Sequence, residues 1–233
     1  MSTESESKLK VLMLLFNRVT ILDFIAPYEI FRGVSNWEIT VVGPTPGIIR
    51  AEGGLGLEVP ESIFDHNEAD ILFIPGGAGI NDLIPSKDIR QQIAKIGENS
   101  KYVTSVCTGS LLLAAAGLLR GFDATTHWRF LTLLPLMGAR AVDQRVVVDR
   151  NRITAGGITS GMDFALQLVQ RIVGEDQASK QELWLQYQPS PPMGTGHPSL
   201  VSESLVHEIE NETRAALELR RKLIEDVLSQ ESA

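Results

Sequence analysis

The apolar positions fall into short runs separated by polar and glycine-rich breaks. Val11-Leu-Met-Leu-Leu-Phe16 and Asp70-Ile-Leu-Phe-Ile74 have strand length and near-continuous apolar character, the pattern of strands covered on both faces. Trp37-Glu-Ile-Thr-Val-Val42 and the β-branched run Tyr102-Val-Thr-Ser-Val106 predict two more strands. Between them the spacing turns helical: Ile89, Ile93 and Ile96 share one face of residues 88–96, and residues 162–173 keep the same period. A helix is predicted over residues 28–32, fed by a loop from Thr20 to Pro27 and stopped near Gly33; residues 130–134 also read as helical. Residues 145–149 and 152–155 predict a hairpin around Asp149-Arg-Asn-Arg152. Residues 43–57 hold two prolines and five glycines, which favours a turn and a hairpin excursion over a helix.

Buried strands alternating with helices predict an α/β fold, here a doubly wound, mostly parallel sheet. Four prolines and two glycines between Gln188 and Pro198 mark an extended crossing loop. Residues 201–230 then read as one long amphipathic helix carrying Leu205, Ile209, Leu217, Leu219, Ile224 and Leu228 among many charges. The expected organisation is a polar tail over residues 1–9, an α/β domain over 10–187, and a loop plus helix over 188–233. That helix is expected to dock on the same domain or on a second copy of the chain.

Composition narrows the function classes. At 233 residues the chain suits one domain with a sizeable core, and 43% hydrophobic with 21% charged residues is an ordinary globular balance. No apolar run reaches the ~18 residues of a membrane span. Residues 1–8 lack the apolar core of a secretory signal, so a cytoplasmic protein is expected. A single cysteine makes no intrachain disulfide, which suits a reducing compartment. The net charge of −8, with no basic run longer than Arg220-Arg221-Lys222, weighs against nucleic acid as a partner.

That one cysteine is the focus of the candidate chemistry. Residues 102–106 deliver Cys107 to a Thr-Gly-Ser turn, and the Ala/Leu-rich residues 111–116 leave it with high helix propensity. The plan resembles a nucleophile elbow with Cys for Ser, although Ser105 occupies the position where that motif has glycine. A thiol at the start of a helix is expected to ionise more easily than free cysteine. In doubly wound sheets ligands gather beyond the carboxyl ends of the strands, which singles out Asp23, Gly76-Gly77, Cys107-Thr108 and Gly156–Thr159. Asp23 lies in an otherwise apolar run, where its carboxylate needs a specific partner. It is either a helix N-cap or an acid and base facing the thiol. Gly76 and Gly77 are expected to present backbone N–H groups that form an anion hole with the N–H of Thr108. Gly77-Ala-Gly79 lacks the third glycine of a dinucleotide fingerprint. His127 is either a hydrogen-bonded core residue beside Trp128 or a partner of the cysteine. The four histidines show no metal-ligand spacing, so no metal is expected.

Ile74-Pro-Gly-Gly77, Ser105-Val-Cys-Thr-Gly-Ser110, Ala114-Ala-Ala-Gly-Leu-Leu119, Ala124-Thr-Thr-His-Trp128 and Thr154-Ala-Gly-Gly-Ile-Thr-Ser-Gly161 together resemble the PfpI-like superfamily. Within it the chain is most similar to the isonitrile hydratases. The resemblance implies a class I glutamine-amidotransferase-like, flavodoxin-like fold, a homodimer, and cofactor-free hydration of an isonitrile to an N-substituted formamide. It further implies Cys107 as nucleophile, Asp23 as acid, Thr108 beside them, and a pocket lined by the segment Gly156 to Thr159, including Ile158 and Thr159; Gly76 and Gly77, with His127 and Trp128 behind, are the candidates that the residues themselves add to it. Proteases and deglycases of the superfamily commonly carry His after the Cys and Glu as the acid; this chain has Thr108 and Asp23. The sensing domains of AraC-type regulators share the Cys-Thr-Gly and Thr-Thr-His-Trp segments but continue into a helix-turn-helix module. A ligand or redox sensor is therefore the alternative expectation.

Overall fold

The computed structural model describes residues 8–231, so most of the tail expected over residues 1–9 lies outside the described residues. From the N-terminus, β1 (Leu9–Leu14) leads into α1 (Ile21–Phe31) and β2 (Trp37–Gly43). An antiparallel hairpin, β3 (Gly47–Arg50) and β4 (Gly56–Val59), precedes β5 (Glu61–Ser62) and β6 (Ile71–Ile74). The helices α2 (Ile80–Leu83) and α3 (Lys87–Asn99) follow, then β7 (Tyr102–Val106) and α4 (Gly109–Ala115). The short strands β8 (Asp123–Ala124) and β9 (Arg140–Ala141) bracket a 3₁₀ stretch over Trp128–Met137. The hairpin β10 (Val146–Asp149) and β11 (Arg152–Ala155) leads to α5 (Ser160–Val173), α6 (Glu175–Trp184), α7 (Glu203–Glu212) and α8 (Arg214–Glu231).

Seven strands form one sheet in the order β10-β11-β7-β6-β1-β2-β5, parallel at every step except β10 with β11. Ile71 to Ile74 and Met13 to Leu14 are fully buried, as expected of strands covered on both faces. The helices pack in two groups, α1 with α5 and α6, and α2 and α3 with α4, which also joins α8 through the 3₁₀ stretch. Phe31 of α1 and Phe164 of α5 meet Phe73 of β6 at ring distances of 6.2 and 5.8 Å, fixing the first group on the sheet. Pairing of Ile74 with Ser105, and of Val106 with Ala155, brings the ends of β6, β7 and β11 level. Gly76, Cys107 and Gly156 therefore emerge at the same edge.

Three elements differ from the sequence expectation. The first helix begins at Ile21 instead of Tyr28, running through Pro27, which cannot donate to the carbonyl of Asp23. Burial of Phe24, Ala26, Ile30 and Phe31 holds the helix despite this lost bond. The helix α6 has no apolar stripe to announce it; Ala178 and Gln181 are its buried residues, and Gln181 Nε2 bonds the carbonyl of Gly33 at 2.5 Å. The predicted long helix over 201–230 is two helices that break at Thr213. There Thr213 Oγ1 donates back to the carbonyl of Ile209 at 2.6 Å and accepts Arg129 Nε at 2.6 Å. Such side-chain bonding competes with the helical ladder.

Candidate active site

The strand β7 stops at Val106, and Cys107 takes φ 54° before α4 begins. A left-handed backbone on a non-glycine residue costs about 1–3 kcal/mol, so its surroundings must impose it. The Cys107 N–H donates to the carbonyls of Ala155 (3.0 Å) and Gly156 (2.9 Å). Its own carbonyl accepts from Thr126 Oγ1 at 2.9 Å and Ser110 Oγ at 3.1 Å. Gly109 is required two residues on, because a Cβ there would lie 2.1 Å from the carbonyl oxygen of Ile74. Cys107, 6% exposed as a residue, is thus carried by a tightly bonded elbow.

Asp23 is the third residue of α1 and is fully buried. Its Oδ2 accepts the N–H of Gly76 at 3.1 Å, and the carboxyl faces the Cys107 thiol. Oδ1 has no hydrogen-bond partner within the fold. Burial pushes the Asp23 carboxyl up from 3.8 to about 7; the thiol and the Gly76 N–H counter this, while the charge of Glu52 adds to it.

The thiol itself departs from the sequence expectation. Burial pushes Cys107 well above an ordinary cysteine, the charge of Asp23 adds to that, and the Thr108 N–H and the Arg220 guanidinium oppose it. The N-terminus of α4, a helix of seven residues, does not outweigh desolvation. In this resting arrangement the proton belongs to the Cys107–Asp23 pair.

The two glycine N–H groups expected to face a reacting atom both have partners within the fold. The Gly76 N–H is given to Asp23, and the Gly77 N–H donates to Thr108 Oγ1 at 3.0 Å. These two glycines thereby tie Asp23 and Thr108 to the same turn. A Cβ at Gly76 would lie 2.6 Å from Thr108 N and 2.8 Å from Asp23 Oδ2, which is why the position is bare.

Among the other expected residues, Thr159 is exposed and its Oγ1 accepts from both terminal nitrogens of Arg145 at 3.3 Å. Ile158 is 37% exposed at the start of α5, and Gly156 touches the elbow through its carbonyl. No hydrogen bond joins His127 to Cys107. The His127 Nδ1 accepts the N–H of Arg129 at 3.3 Å, and the ring packs on Trp128 and Phe130. Burial pushes it down to about 4, with the Arg220 and Arg129 charges contributing, which favours a neutral, half-buried ring. Trp128 lines a hollow of about 130 Å³ with His197, Val201 and Ile209.

Two residues escaped the sequence reading. Glu52, from the turn between β3 and β4, accepts from the Ala78 N–H (2.9 Å) and Thr20 Oγ1 (3.2 Å), which brings a second carboxylate toward Asp23. No local signal marks it. Arg220 of α8 is 6% exposed, donates to Asn81 Oδ1 (3.0 Å) and the Gly77 carbonyl (3.3 Å), and lies 4.0 Å from the Phe130 ring centroid. Its signal was present: Arg220, Ile224 and Val227 follow the i, i+4, i+7 spacing, putting a cation on the buried face.

The DJ-1/PfpI family pattern matches residues 9–171, from β1 through almost all of α5. The chain belongs to the DJ-1/PfpI family. It is 39% identical to isonitrile hydratase of Pseudomonas putida over 217 residues, covering 93% of this chain and 95% of that protein. A crystal structure of a ThiJ/PfpI family protein from Pseudomonas syringae superposes with a TM-score of 0.90 at 30% identity, covering 93% of this chain and 90% of the other. The HTH-type transcriptional regulator GbdR of Pseudomonas aeruginosa is 34% identical over 125 residues, 52% of this chain and 34% of the regulator. Schizosaccharomyces pombe DJ-1, at 22% identity and a TM-score of 0.68 over 78% of this chain and all of its own, shares the fold. No helix among the described residues is long and apolar enough to cross a membrane.

Proposed function

We propose that the protein is an isonitrile hydratase, converting R–N≡C and water to the formamide R–NH–CHO without metal or cofactor. The observation that carries the reading is the 39% identity to Pseudomonas putida isonitrile hydratase across almost the full length of both chains. The Cys107–Asp23 pair supports it, because the reaction needs a nucleophile and a group that both gives and takes a proton near neutrality.

In this mechanism the Asp23 carboxylate accepts the thiol proton as the Cys107 sulfur bonds to the terminal isonitrile carbon. Asp23 returns the proton to that carbon, leaving the thioimidate R–N=CH–S–Cys107. Water then adds to the same carbon, with one of its protons passing to nitrogen. The C–S bond breaks, and the remaining hydroxyl proton returns through Asp23 to the departing thiolate. Thr108, tied to Gly77, directs its N–H at the sulfur throughout. Ile158 and Thr159 stand near the entrance in this reading, and His127 and Trp128 support the elbow from behind.

The homodimer and the cytoplasmic setting implied by the resemblance belong to the same proposal, as does a single α/β unit over residues 10–187 with residues 188–233 docked on it. Sedimentation equilibrium checks the dimer. The competing reading is a ligand sensor, favoured by the similarity of half this chain to the regulator GbdR. Formamide production from aryl and alkyl isonitriles by the purified protein separates the two. Turnover supports the hydratase, and its absence with several isonitriles from correctly folded protein rejects it.

A further inference from the structure

The C-terminal helix α8 contributes one buried charge, and that charge lies against the Gly77 turn that borders the elbow. Arg220 points inward in register with Ile224 and Val227, its guanidinium spread over the Phe130 ring at 4.0 Å. One arm donates to Asn81 Oδ1 at the start of α2, and the other to the carbonyl of Gly77. The N–H of that same glycine holds Thr108 Oγ1. The guanidinium is therefore fixed, by two hydrogen bonds and an aromatic face, to the turn that borders the elbow. Lysine would satisfy neither the planar stacking nor the divergent pair of bonds as well.

The need for such a cation follows from the charges around Cys107. The helix α1 presents Asp23, and the turn between β3 and β4 presents Glu52 behind it. His127, beside β8, is neutral, and α4 carries no charged residue. Without Arg220 a thiolate would form in a buried site beside carboxylates with the Thr108 N–H to oppose them but no positive charge.

We infer that Arg220 is a positioning residue for Cys107, supplying from the C-terminal helix the fixed positive charge against which the thiolate forms. The inference rests on the reading of Cys107 as the nucleophile and assigns α8 a role in the chemistry in addition to packing. Its guanidinium acts on the thiol electrostatically in the direction that favours ionisation.

The test uses alkylation of the chain's single cysteine by iodoacetamide, followed from pH 5 to 11 in the absence of any isonitrile. Its outcome is independent of hydratase turnover. Arg220→Met, which keeps an apolar stem on Phe130, is expected to move the midpoint of the profile up by about 1 pH unit and to slow alkylation at neutral pH about tenfold. Arg220→Lys keeps the charge and recovers at least about half of that shift. A folded Arg220→Met protein whose profile superposes on wild type overturns the inference. If Arg220→Met does not fold, Asn81→Asp decides: a carboxylate at the guanidinium partly neutralises its field and raises the midpoint by about 0.5 unit. An unmoved midpoint in that variant overturns the inference equally.

Discussion

The elbow over residues 102–117 and the C-terminal arm over residues 203–231 both act on one thiol but by different means. The elbow is a product of near neighbours: a buried strand, a left-handed residue and a short helix, clamped by β11 on one side and Thr126 on the other. Its residue types are restricted at almost every step, as the bare Cα of Gly109 shows. The arm is mostly exposed and rich in charge, and it matters to the site through a few inward side chains, Arg220, Ile224 and Val227. One region fixes where the thiol stands; the other contributes to the field it stands in. Position depends on many tight contacts, whereas a field can be supplied by a single residue far away in sequence.

The largest effect expected is at the elbow itself. Cys107→Ala removes the nucleophile, and formamide production should fall by ~10³-fold or more; retained activity would remove the covalent mechanism. Next comes the acid. Asp23→Asn keeps the shape and the acceptor for Gly76, and kcat/KM is expected to drop ~10²–10⁴-fold with loss of the limb near pH 7.

The same variant has a stability signature of definite sign. The native Asp23 holds a proton that the unfolded chain releases between pH 3.8 and about 7. The associated stability is present below that window and is lost as pH rises through about 7, by up to about 4 kcal/mol. His127, pushed down to about 4, works oppositely and makes stability rise from about pH 4 to 6.5. Denaturant titrations of Asp23→Asn against wild type at pH 5 and pH 8 isolate the first contribution. Equal pH slopes in the two proteins would show that Asp23 bears no such burden.

Gly76→Ala probes how tightly the acid and the threonine are held. The added Cβ, 2.6 Å from Thr108 N and 2.7 Å from Thr108 Oγ1, forces a shift worth about 1–3 kcal/mol and a loss of ~10–100-fold in turnover. Stability and rate unchanged together would mean that the turn is looser than drawn. The smallest effect belongs to the arm. Thr213→Val removes the acceptor of Arg129 Nε at the break between α7 and α8. About 1 kcal/mol, seen as ~2–4 °C in Tm, is expected, with turnover within about twofold of wild type. A drop in turnover comparable to that of Gly76→Ala would erase the distinction between elbow and arm.

Much of this architecture was legible beforehand because it depends on local pattern. The apolar runs at 11–16 and 70–74 announced parallel strands, and the Thr-Gly-Ser turn after a β-branched run announced the elbow. Asp23 stood out because a charge among Ile21, Leu22, Phe24 and Ile25 needs a partner. The start of α1 was missed because Pro27 signals a break locally, while the burial that overrides it comes from the sheet and α5. The helix α6 was missed because polar residues cover it on nearly every side.

The sequence by itself determined the α/β class and the elbow with its single thiol, and it marked Asp23 as a buried charge that needs a partner. Each follows from periodicity or from residue types that few local conformations accept. Only the tertiary structure decided the electrostatics of the site. Burial raises both the thiol and the acid, the two glycine N–H groups are spent on Asp23 and Thr108, and Arg220 arrives from a helix more than a hundred residues away. Desolvation and charge depend on what the completed fold brings within a few ångströms of a group, and no local stretch of sequence contains that information.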